Sequence, residues 1–293
     1  MKTEISRSRT NALAERLTAQ SRERFYDVYE QFEWPDRLDP DAFSMSPEIT
    51  TLSGTPIWST LSDEQKWRLT ITETATLFSN TLNGERVLVA GLASQLYSKG
   101  ATPEITDYLH HFLDEENKHM IMFGVFCRKY VGRVYPDKRL AMPAKYAPGE
   151  ELLRFYTLAM VVEAYGDYYN VRVMSDDRCN PLVRAISRVH HVDEARHIAF
   201  DKAYLAELAA EHMPGWDDAM RKGFHGWLAG FMKANWQTFY NPAAYRDAGI
   251  EDPYEVQKIA MAAPAQKALR EKVTSNVASF FLQTGLITEL PDV

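Results

Sequence analysis

Apolar positions recur every three to four residues along most of the chain and break off at prolines and glycines, a period that predicts amphipathic helices rather than strands. A charged helix is predicted over Ser6 to Phe32, stopping at Trp34-Pro35 because the residue before proline is pushed out of the α region. Residues 35–56, with four prolines, read as an irregular wrap. Ser62 caps a long helix, with Gln65 completing a capping box, and that helix runs to about Ser98. Lys99-Gly100 ends it, and Thr102-Pro103 opens another that continues to about Val131.

Residues 132–149 contain Gly132, Pro136, Pro143, Pro148 and Gly149, too long and too broken for a tight hairpin, so they read as a crossover. Further helices are predicted over about Glu150 to Met174, from the cap Asn180 with Pro181 to about Glu211, over Trp216 to Phe239, and over Pro253 to Leu282. The expectation is one all-α domain spanning residues 1–293, with a core bundle over about 60–210 and C-terminal helices over about 216–282 as a flank or lid.

Polar residues intrude on the apolar stripes at a few positions. The stripe of the first long helix, Phe78, Thr81, Leu82, Glu85, Leu88 and Leu92, has a carboxylate where a leucine is expected. On the next helix Glu116 and His119 sit at i, i+3 within an aromatic stripe that ends at Phe123. Glu163 lies among Ala159, Gly166 and Asp167, which leave room beside a buried acid. His190, Glu194 and His197 fall at i, i+4 and i+7, within about 60° of one another on a helix. His191 lies about 100° further round and is the alternative to His190. His110 and His111 point away, with His111 expected to pair with Glu115.

Composition narrows the function classes. A net charge of −7 leaves no basic face to neutralise phosphates or an anionic membrane, and no run approaches a transmembrane span. The N-terminus has no signal-peptide core, so a cytoplasmic protein acting on a small molecule is expected. Cys127 and Cys179 show no metal-binding spacing and read as small buried hydrophobes.

The inward charges form a pattern. Glu85 followed by Glu116-x-x-His119 is echoed by Glu163 followed by Glu194-x-x-His197, across one crossover. A Glu from each of two helices plus a Glu-x-x-His from each of two others is how ferritin-like four-helix bundles build a dinuclear iron or manganese centre. Four carboxylates neutralise two divalent ions, and neutral imidazoles complete the set. Glu115 and Asp193 each precede a ligand glutamate and are expected to take the Nδ1 proton of a histidine on the facing helix.

These residues resemble the diiron arylamine N-oxygenase family typified by p-aminobenzoate N-oxygenase, which is marked by a third histidine one turn before the last Glu-x-x-His. His190-x-x-x-Glu194-x-x-His197 has that form, and Glu85, Glu116, His119, Glu163, His190, Glu194 and His197 match the ligand set in order. The likeness covers about residues 60–210; against the family the chain is short and its crossover after His119 trimmed. The resemblance implies a di-iron(II) centre that reacts with O2 through a peroxo-diferric species and oxidises an amine nitrogen to hydroxylamine or nitro. The substrate would be a small-molecule amine of natural-product type, free or carrier-bound. With no flavin or nicotinamide fingerprint, electrons would come from an external reductase.

A C–H hydroxylase or desaturase on the same scaffold fits the sequence as well. A ribonucleotide-reductase-type radical protein fits less well, since Phe123 stands where that family keeps its tyrosine. A ferroxidase ferritin would be a shorter bundle forming a shell, which the two extra C-terminal helices speak against; a homodimer is expected, and a dimer's mass rather than a cage's would discriminate. A helical interaction module would purify without iron. Tyr165 and Tyr168 are the candidates for the substrate pocket.

Overall fold

The computed structural model describes residues 2–98, 101–136 and 145–293; residues 137–144 of the crossover after His119 therefore lie outside the described residues. These residues form helices, and among them the single β contact is an isolated bridge between Phe43 and Cys179. Four long helices make the core: α2 (Asp63–Gln95), α3 (Pro103–Phe126), α4 (Glu150–Met174) and α5 (Pro181–His212), preceded by α1 (Lys2–Glu23). α2 packs along α3 and α4 along α5, while α1 lies across α3 and α5. The fold is thus the expected all-α, ferritin-like four-helix bundle with additional helices at both ends.

Local chemistry sets the starts of the helices. Ser62 Oγ accepts from Gln65 N at 3.2 Å and Gln65 Oε1 accepts from Ser62 N at 3.0 Å, the reciprocal cap read from the sequence. Asn180 caps α5 through Leu182 N at 3.0 Å, with Pro181 at the first turn. α3 ends in one π turn over Cys127–Val131, closed by Gly132 at φ 81°, a conformation that costs a residue without Cβ nothing.

Three boundaries depart from the predicted ones. α1 ends at Glu23 rather than Phe32 because the chain turns to send Tyr26 inward, where its hydroxyl donates to Asp193 at 3.1 Å. The segment predicted as one helix from Pro253 is two, α8 (Pro253–Ala262) and α9 (Pro264–Thr284), since Ala263 precedes a proline and takes an extended conformation. Asn241-Pro242, read as a turn, opens the short helix α7 (Pro242–Asp247). Between them and the bundle lies α6 (Asp218–Phe239), which contacts α2 and α4, and α9 packs on α4 and α5.

The core is aromatic around the bundle centre. Phe78 of α2 stacks on Phe123 of α3 with centroids 4.4 Å apart, and Phe126 meets Phe78 edge-on. Both cysteines are buried and free.

Candidate metal centre

Each core helix contributes to one buried cluster. Glu85 comes from α2, Glu116 and His119 from α3, Glu163 from α4, and His190, Glu194 and His197 from α5. All seven are buried. Their ligand atoms fall into two groups, each within 4.8 Å: Glu85, His119, His190 and Glu194 in one, Glu116, Glu163, Glu194 and His197 in the other. Glu194 belongs to both and stands between them.

The donors face one another without satisfying one another. His190 Nε2 lies 2.8 Å from Glu194 Oε1 and His197 Nδ1 lies 2.8 Å from Glu116 Oε1, yet neither contact has hydrogen-bond geometry. Both oxygens of Glu85, Glu116 and Glu163, one of Glu194, and a ring nitrogen of each of the three histidines have no hydrogen-bond partner. Buried polar atoms are otherwise almost always paired, since leaving one bare costs about 1–3 kcal/mol. So many bare lone pairs converging on two points suit a pair of cations, and the mixed carboxylate and imidazole set suits iron or manganese.

The outer nitrogens of the ligand rings are held in turn. His119 Nε2 lies 3.1 Å from Asp193 Oδ2, and His197 Nε2 lies 2.8 Å from Glu115 Oε2. Glu115 and Asp193 therefore do meet histidines of the facing helix, but at Nε2 and not at the expected Nδ1. The short Glu-x-x-His spacing brings Nδ1 round to the carboxylates and leaves Nε2 outward. Arg196 bridges the two acids, at 2.6 Å from Glu115 Oε1 and 2.5 Å from Asp193 Oδ1. His190 is turned the other way, with Nε2 inward and Nδ1 2.7 Å from the side-chain amide of Asn170.

His191, the alternative, stays outside the cluster and pairs with Asp167 at 2.6 Å. His111 does not pair with Glu115, which is engaged by Arg196 and His197, and lies instead beside Arg22 Nε at 3.4 Å. Rings pack the ligands in place: Phe112 stacks on His197 with centroids 3.8 Å apart, and Phe123 meets His190 edge-on at 4.9 Å.

Electrostatics without cations follow from burial. Burial pushes the Glu85 carboxyl up to about 8, and it holds Glu163 well above the carboxylate range with Asp201 and Glu194 adding repulsion. Burial opposes a charge on His119, but its carboxylate neighbours, Asp193 foremost, outweigh that and raise it well above its usual value. His197 behaves likewise through Glu115, Glu116 and Glu194. In the absence of ions, protons take the cations' place.

Asp201, fully buried with both oxygens unpartnered, sits in the field of Glu163, His197 and Glu194. Sequence reasoning missed it, although its place one turn after His197 was a signal. It also missed Asn170, two turns beyond Glu163 on the same face, and Arg196. For Tyr26 no sequence signal existed.

A cavity of about 260 Å³ reaches Glu85, Glu116, Glu163 and Glu194 from the surface between α2, α4 and α6. Phe155, Leu158 and Val162 of α4 and Phe231 of α6 wall it. Tyr165 and Tyr168 do not line it: the Tyr165 hydroxyl is 2.9 Å from Thr274 Oγ1 and its ring stacks on Trp236, while Tyr168 lies under Arg172.

The family model described as "P-aminobenzoate N-oxygenase AurF" matches residues 7–285. The chain belongs to that family. The two buried donor groups make a carboxylate and imidazole site that could hold two metal ions. Uncharacterized proteins of Mycobacterium tuberculosis and Mycobacterium bovis are 24% identical over 203 residues, 64% of this chain and 58% of the relative's length. Of solved structures, an R2-like ligand-binding oxidase with an aerobically reconstituted Mn/Fe cofactor is 19% identical, with TM-score 0.54 over 94% of this chain and 92% of the other. A variant of that oxidase with an Fe/Fe cofactor is 18% identical, with TM-score 0.50 over 94% and 93%. These likenesses are of fold. No helix among the described residues is long and apolar enough to cross a membrane.

Proposed function

We propose that this family member oxidises the nitrogen of a small-molecule amine with O2, and that Glu85, Glu116, His119, Glu163, His190, Glu194 and His197 hold its two iron ions. The observation that supports this reading most is the third histidine, His190, whose bare Nε2 joins the first donor group. The Mn/Fe and Fe/Fe cofactors named for the structural neighbours favour two ions here as well.

Two iron ions bound there supply the reduction of O2 and the transfer of one oxygen atom. Amine, O2, two electrons and two protons give hydroxylamine and water, the electrons arriving from an external reductase. The protein's own part is binding, orientation and exclusion of water. The walls Phe155, Leu158 and Val162 orient the substrate so that its amine meets the glutamate floor. Glu115 and Asp193 keep the outer nitrogens of His197 and His119 hydrogen-bonded, so that Nδ1 of each ring stays turned to the ions.

The apolar walls support a second reading, oxidation at carbon on the same centre. Product analysis separates them: iron-loaded enzyme, a reductant and O2 are given paired amines and methyl analogues. Hydroxylamine or nitro products support N-oxidation, while alcohols from the methyl analogues with intact amines would exclude it.

A further inference from the structure

The charge of the cavity lining bears on what can enter it. Among the described residues that line it there is no lysine, arginine or histidine. The half-buried side chains of Asn80, Asn235 and Thr238 in its lining are neutral, and Asn80 donates to Thr238 Oγ1 at 3.0 Å, tying α2 to α6. The ionisable lining groups are the four glutamates at its floor, whose charge two divalent ions cancel.

We infer that the substrate is an uncharged molecule the size of one substituted ring, with its amine at the glutamate floor and a neutral group at the far end. This rests on the N-oxygenase reading for the amine but not for the charge or the size. An apolar cavity of about 150 Å³ takes benzene, so about 260 Å³ takes a ring with several further atoms. A far-end carboxylate would lose water against Leu158, Val162 and Phe231 with no cation among the described lining residues to pair it, and buried anions persist only when paired. An alkylamine, protonated at neutral pH as lysine is, would bring an unpaired cation, whereas an arylamine enters neutral.

The test uses full-length iron-loaded enzyme with 4-aminobenzamide, 4-aminobenzoate, 4-methylbenzamide and 4-methylbenzoate. Equilibrium dialysis without O2 reads binding, and mass spectrometry after reductant and O2 reads products. Each amide is expected to bind at least tenfold more tightly than the acid of the same outline, whether it carries an amine or a methyl group. Asn235→Arg, which places a cation in the lining, is expected to narrow that ratio at least fivefold. An acid binding as well as its amide, an unchanged ratio in Asn235→Arg, or no binding by any of the four would overturn the inference. If the amide preference stands but no amine is oxidised, the N-oxygenase reading fails alone.

Discussion

Nε2 of His197 lies 2.8 Å from Oε2 of Glu115, both buried, with Arg196 bonded to the other oxygen of the same carboxylate at 2.6 Å. The arrangement fixes the ring's orientation from behind, so that Nδ1 faces the donor cluster before any ion arrives. Hydrogen bonds to a ligand histidine raise its basicity and its affinity for metal.

Glu115→Ala should therefore weaken iron binding about 10–100-fold, the range seen when such outer partners are removed. Glu115→Gln, which keeps an acceptor, should lose less. Competition against a chelator measures this, and unchanged affinity in Glu115→Ala would show that the pair is only structural.

Metal uptake should release protons. Burial holds the Glu85 carboxyl up to about 8, so at pH 7 it carries a proton that a cation must displace, and burial raises Glu163 in the same direction. Affinity should rise as pH rises through about 8. Calorimetry in buffers of different ionisation enthalpy reads the proton count, and a count of zero at pH 7 refutes the assignment.

Gly91 of α2 gives Phe155 its place on the cavity wall, since a Cβ there would sit 2.0 Å from Phe155 Cε2. Gly91→Ala should gain the ~0.5–1 kcal/mol of helix preference but lose more to overpacking, about 1–3 kcal/mol, while displacing the ring. A lowered unfolding temperature together with a shifted KM is expected. If neither moves, Phe155 is not held by this contact.

Glu73 lies three turns before Glu85 and is fully buried, accepting from Thr51 N at 2.9 Å and from the Thr51 hydroxyl. Burial raises it from 4.5 to about 7. A raised carboxyl stabilises the fold below its unfolded value, and that contribution is lost as pH rises through about 7, a span worth about 3 kcal/mol. Glu73→Gln should match the parent at pH 4.5 and exceed it at pH 8. Parallel pH profiles of unfolding for the two proteins would rule this out.

The α4 boundaries, the Ser62 and Asn180 caps and the inward glutamates were legible because each depends on residues within a few positions of one another. The early end of α1 was not, because Tyr26 leaves the helix for Asp193, 167 positions away in sequence. The ring nitrogens facing the cluster escaped for a related reason: spacing places a histidine on a face, but rotamer and packing choose between Nδ1 and Nε2.

What the sequence alone determined was the periodicity of the helices and the seven carboxylate and imidazole residues on their inward stripes, since a period of 3.6 assigns each residue to a face. Only the tertiary structure decided that α6 would cover the groove between α2 and α4, placing the cavity beside Phe155 and Val162 and leaving Tyr165 stacked on Trp236. It also decided that Arg196 would join Glu115 to Asp193 behind the histidines. Such contacts depend on how whole helices meet, and local spacing does not encode that.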